Sequence, residues 1–321
     1  IADSVQLSDI KNIIAIDALD LSQYDSIQRI EPLAQLVSLQ VLNLSNTAVA
    51  DLSPLRNLTD LVELNLANTE IEDISALKYS DKLVKFNISN TAVSDISVFE
   101  KMTGLENLDI SKTQVVDFSP LSNLTELKVL NLESSKIQNL SPIEKLTKLT
   151  ALNASGTMVD NLNALASLKN LETLNLDSTR VTELTALKSL VSLELLYVNH
   201  TVIGNLRPLQ DLKNLVRVYC DHTPINQTLA DAFMTANPEV LVIFDSEDLR
   251  GWWDALPDAW KDVLSRAAKI QRNPTKEELA KVTNLDSINF ATNSNIQDIE
   301  PLRKLQKLQF INARNTVLKD I

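Results

Sequence analysis

The segment "LQVLNLSNTAVADLSPLRNLTD", Leu39–Asp60, decides the fold, because its pattern returns 22 residues later and keeps returning. Leu39, Leu61, Leu83, Leu105, Leu127, Leu149, Leu171, Leu193 and Leu215 stand one period apart. Three positions on come Leu42, Leu64, Phe86, Leu108, Leu130, Leu152, Leu174, Leu196 and Val218, and two further Leu44, Leu66, Ile88, Ile110, Leu132, Ala154, Leu176, Val198 and Cys220. A hydroxyl ladder closes each unit: Thr47, Thr69, Thr91, Thr113, Ser135, Thr157, Thr179, Thr201 and Thr223. A fixed period of this length is the signature of stacked units, none of which can bury its own apolar face.

Within one unit, Leu42 and Leu44 alternate as on a short strand with one buried side, which leaves Asn43 and Ser45 on the other. Leu52, Leu55 and Leu58 have helical spacing, with Ser53 placed to cap and Pro54 suited to the first helical position. "DLSPL", "DFSPL", "NLSPI" and "NLRPL" repeat that start at Leu52, Phe118, Leu140 and Leu206. The pattern predicts an α/β leucine-rich repeat solenoid. A parallel β-sheet lines its concave face, short helices line the convex side, and a helical insert interrupts it. Asp51, Asp73, Asp95 and Asp117 recur in the turn before each helix and read as loop-backbone acceptors, not as acid–base groups.

"LTDLVELNLANTEIEDISALKYSDKL" (58–83) and "LSNLTELKVLNLESSKIQNLSPIEKLTKL" (121–149) resemble the repeats of internalins and related bacterial surface proteins. The resemblance covers about residues 13–226 and a second stretch from 275 to the end. Threonine stands in the ladder where that family usually has asparagine, and both bond loop backbone. The resemblance implies a non-catalytic recognition surface on the concave sheet, displayed outside a bacterial cell or on its surface.

After Ile225 the leucine period stops. Val240–Phe244 reads as a closing strand, and Trp253, Leu256, Trp260, Val263, Leu264 and Ala267 share one helical face that Pro257 divides into two helices. All three tryptophans lie here and are expected to form a small core. Thr275 and Glu278 stand in capping-box relation, and Leu285, Ile288 and Phe290 resume the repeat. The expected organisation is an N-terminal cap at 1–12 and a first array at 13–226. A closing strand with a tryptophan-bearing helical cap occupies 227–274, and a second array starts at 275–321. "NTVLKDI" stops where earlier units supply their helix, so further repeats, or another chain, are expected to cover that end.

A net charge of −12 disfavours nucleic acid and anionic membrane as partners, and no apolar run is long enough for membrane insertion. Cys220 is the only cysteine and occupies a core slot, so a disulfide framework is excluded. No nucleophile elbow, phosphate loop or metalloprotease motif occurs, and no enzyme activity, cofactor or metal is expected. His200 and His222, one period apart, do not by themselves fill a zinc site.

One contrast points to a ligand-binding site. The outward position that reads Asn43, Asn65, Asn87, Asp109, Asn131, Asn153 and Asn175 changes to Tyr197 and Tyr219. Around them stand Asn199, His200, Arg217, Asp221 and His222. Tyrosine and arginine are enriched at binding hot spots, so these seven residues are the expected ligand surface for a protein partner. The alternative is a glycan gripped by Tyr197 and Tyr219. The competing reading is that terminal repeats diverge because they pack against the helical cap.

Overall fold

The structure is a computed structural model that describes residues 16–318; the expected cap at 1–12 lies outside the described residues. The chain divides into two compact units, 1–215 and 216–321.

The described part of the first unit contains nine three-residue strands: β1 Ala18–Asp20, β2 Val41–Asn43, β3 Glu63–Asn65, β4 Lys85–Asn87, β5 Asn107–Asp109, β6 Val129–Asn131, β7 Ala151–Asn153, β8 Thr173–Asn175 and β9 Leu195–Tyr197. Each is parallel to the next and in register with it, Val41 opposite Glu63 and Leu42 opposite Leu64. The sequence period is therefore the sheet register. Leu39, Leu42, Leu44, Val49, Leu52, Leu55 and Leu58 are each at most 2% exposed, and the same slots are buried in the following repeats. One coil of the chain thus closes around a leucine core, and each coil covers the apolar cross-section of the one before.

The return limb carries short helices, as expected, but of the 3-10 type, such as Ser53–Leu55, Ser75–Leu77 and Ser119–Asn123. A 22-residue coil has too little chain left for an α-helix, and the 3-10 turn, with its longer rise per residue, spans the convex side with fewer residues. Capping also differs. Ser53 does not cap; the carboxylate of Asp51 accepts Ser53 N–H at 2.8 Å and Ser53 Oγ at 2.7 Å. Asp73, Asp95 and Asp117 likewise accept the N–H of Ser75, Ser97 and Ser119, and Asn139, Asn161 and Asn205 take over the slot further on. These acids are loop-backbone acceptors, as the spacing implied.

The hydroxyl ladder points inward. Thr47 Oγ1 donates to Leu44 O at 2.7 Å, and every later threonine of the ladder repeats the bond to the residue three before it. Ser135 is the exception: its Oγ is buried without a hydrogen-bond partner. The residue before each ladder position turns through the left-handed region: Asn46, Asn68, Asn90, Lys112, Ser134, Gly156, Ser178, His200 and His222 all have φ between 53° and 66°. This explains why both histidines occupy one slot. It is a turn position, and asparagine tolerates it best among residues other than glycine.

In the second unit β10 Arg217–Tyr219 pairs in parallel with β11 Leu241–Ile243, with α1 Gln227–Ala236 between them. Next come α2 Ser246–Ala255, α3 Asp258–Ala268 and α4 Lys276–Thr283, then β12 Ser287–Asn289 and β13 Phe310–Asn312, again parallel. Leu256 and Pro257 separate α2 from α3. Trp253 and Trp260 are 1% and 2% exposed and pack with Leu249, Val263, Leu264, Leu279, Ile288 and Phe290. The tryptophans therefore serve a core, with only Trp252 half-buried at its edge. Thr275 and Glu278 close the capping box at the start of α4.

Candidate recognition surface

Two columns of side chains face outward from the strands of the first unit. In the column of Asn43, the side-chain oxygen accepts the backbone N–H two residues on. Asn43 bonds Ser45, Asn65 bonds Ala67, Asn87 bonds Ser89, Asp109 bonds Ser111, and the pattern continues through Asn131, Asn153 and Asn175. This strip therefore ends each strand by locking the following turn. Its uniformity is structural.

The neighbouring column has no such rule. It reads Val41, Glu63, Lys85, Asn107, Val129, Ala151, Thr173 and Leu195. Val41 and Val129 are each 37% exposed, and Lys85 pairs with Glu63 at 2.7 Å across one repeat. Over β1–β6 this column and the asparagine strip line an open groove of about 780 Å³, bounded by Ala18 and Asp20 at one end and Val129 and Asn131 at the other. Sequence reasoning passed over this column apart from Arg217. The available signal was its variability: a strand position facing outward with no preferred residue type is free to carry specificity.

The seven expected ligand residues fall into two sets. In the first unit, Tyr197 is half-buried in line with the asparagine strip, and His200 is exposed at its turn. Asn199 is 8% exposed and held by Asp177, whose carboxylate accepts Asn199 N–H at 2.7 Å and Nδ2 at 3.0 Å. In the second unit, Tyr219 is 5% exposed, with Lys276 Nζ 4.7 Å above its ring centroid. Asp221 accepts the N–H and Oγ of Ser246 at 2.8 Å each and lies 3.9 Å from Lys276. His222 Nε2 is 3.7 Å from Glu247, and Arg217 is half-buried.

Tyr219 is therefore not the exposed platform that outward alternation suggested. It and Asp221 are engaged by the first residues of α2 and α4, and this accounts for their departure from the repeat. The contacts come from residues far along the chain, which no local pattern announces.

Burial pushes the Cys220 thiol up to about 12, and its Sγ lies 3.5 Å from Ile243 O, so it behaves as a core residue. Among the described residues no group of three histidine, cysteine or acidic side chains could hold a metal ion, and no helix is long and apolar enough to cross a membrane.

A family model for leucine-rich repeats matches residues 37–79 and 103–145. The chain is a leucine-rich repeat solenoid, similar in fold to the internalins. An internalin, inlF, of Listeria monocytogenes shares 24% identity over 89% of this chain and 77% of its own, with a TM-score of 0.60. A leucine-rich repeat protein of Leptospira interrogans shares 22% identity over 73% of this chain and 62% of its own, with a TM-score of 0.67. The functional domain of InlJ from Listeria monocytogenes, which includes a cysteine ladder, aligns over 96% of this chain and 65% of its own, with 17% identity and a TM-score of 0.56. No curated protein sequence matches the chain significantly.

Proposed function

We propose that this chain is a non-catalytic recognition module that binds a protein partner through the concave face of its sheet, outside or on the surface of a bacterial cell. The observation that carries the reading is the contrast between the two outward columns. One is fixed by hydrogen bonds in each repeat from β1 to β8, while its neighbour varies freely and lines the groove. Stability needs the first and has no use for variation in the second. The fold shared with internalins supports the same reading. Tyr197 and His200 extend this face within the first unit as candidate contacts. The glycan alternative needs Tyr219 as a stacking surface, and at 5% exposure that ring offers little. Residues 227–274 serve in this proposal to close the first array and open the second, which starts at 275.

Arginine introduced at the groove tests the reading. Val41→Arg and Val129→Arg place a long charged side chain where a partner would pack, while Arg56→Glu changes a residue in the return limb. With the partner isolated on the immobilised chain, each valine variant is expected to weaken binding at least ten-fold and Arg56→Glu less than two-fold. Undiminished binding by both valine variants would refute concave recognition.

A further inference from the structure

We propose that the groove over β1–β6 takes a basic protein segment, rich in lysine or arginine and lying across the strands; this rests on the concave reading above. The first observation is that the acidic excess of the chain is not spread along it. Residues 16–126 carry seventeen acidic and seven basic side chains, whereas residues 127–215 carry eight and nine. The groove, lined by residues 18–131, lies almost wholly in the first of these stretches.

The second observation is which acids are already neutralised. Glu63, Asp60, Glu106 and Glu126 each pair with a lysine. In the loops that follow the strands, Asp51, Glu70, Glu72, Asp73, Asp95 and Asp117 have no cation within pairing distance among the described residues. At the groove itself, Asp20 and Asp109 take the slot that most repeats fill with neutral asparagine. Both retain the turn bond, Asp20 to Ser22 N–H at 2.9 Å and Asp109 to Ser111 N–H at 2.9 Å. Their charge is therefore additional to what the turn requires.

The third observation is the apolar surface beside them, Val41 between the two acids and Val129 one strand beyond Asp109, each 37% exposed. Lysine and arginine carry an apolar stem and a charged tip, so stems can lie along the valines while the tips reach carboxylates. Asp20 and Asp109 sit four strand steps apart, ~19 Å at ordinary sheet spacing, a span covered by about six extended residues. An acidic groove of this kind also speeds the approach of a cationic partner, an effect that falls with salt.

The test uses the whole chain and two synthetic peptides of twelve residues, one alternating lysine and alanine and one alternating glutamate and alanine. Fluorescence anisotropy is read at low and at physiological salt. The lysine peptide is expected to bind and the glutamate peptide not. Asp20→Asn with Asp109→Asn, which restores the repeat's usual residue, is expected to weaken binding about ten-fold. Asp81→Asn with Glu100→Gln removes the same charge elsewhere in the same half and should change it less than two-fold. Equal losses from both pairs would mean diffuse attraction and no site. Equal binding of the two peptides, or none of either, would overturn the basic partner. A natural partner that is lost on Val41→Arg yet indifferent to Asp20→Asn with Asp109→Asn would leave concave recognition standing and sink only this inference.

Discussion

The ladder threonines and the turn acids do similar work with different groups. Thr91 Oγ1 reaches Ile88 O at 2.7 Å inside the coil, and Asp51 and Asp117 reach the N–H of Ser53 and Ser119 at its surface. Backbone hydrogen bonds hold the carboxyls of Asp51 and Asp117 below the usual carboxylate range. A depressed folded pKa gives stability that is present above the unfolded value, near 3.9, and is lost as pH falls through the lower folded one. Asparagine keeps the acceptor without the titration, as Asn139 and Asn161 already do. Asp51→Asn with Asp117→Asn is therefore expected to lower the melting temperature slightly at neutral pH and to flatten its fall below about pH 4. An unchanged pH profile, measured by circular dichroism, would contradict this. The sequence showed these acids as loop acceptors, yet it did not show Asn43 and its column as the same device. Strand alternation reports only that a side chain faces outward; it does not say that the side chain folds back on the next turn.

At the scale of elements, the strands and the short helices of the return limbs were legible, but not that the latter are 3-10 helices. Three spaced leucines such as Leu52, Leu55 and Leu58 fit an α-helix and a 3-10 turn alike, and the length of the coil decides between them. The insert read correctly as two helices over a tryptophan core because Trp253, Trp260 and Val263 keep helical spacing around Pro257. Trp260 packs at 5.2 Å from the Phe290 ring at 2% exposure. Its replacement by alanine should cost about 3–5 kcal/mol. All three tryptophans belong to the second unit, so their fluorescence follows that unit alone. In denaturant the fluorescence midpoint of Trp260→Ala is expected to fall well below that of Trp252→Ala, whose ring is only half-buried. Equal midpoints would show that the core is not organised around Trp260.

Across the whole molecule, repetition made the fold readable and obscured the site. A period of 22 residues sets the register, the buried slots and the turn positions together, so residues that break the period attract attention. Tyr219 and Asp221 break it because Lys276 and Ser246 contact them. The variable column of Val41, Glu63 and Lys85 breaks nothing and drew no notice, although it lines the groove. The central claim is that recognition uses this face, and Cys220 makes a direct test practical. Buried and with its thiol pushed up to about 12, it stays unlabelled while an introduced cysteine reacts. A short photo-crosslinker attached at Val41→Cys or Val129→Cys, and separately at Arg56→Cys or Lys145→Cys in the return limbs, reports which side a bound partner touches. The account predicts one discrete crosslinked product from the two groove positions and none from the return limbs. The same product from Arg56→Cys and Lys145→Cys alone would contradict it.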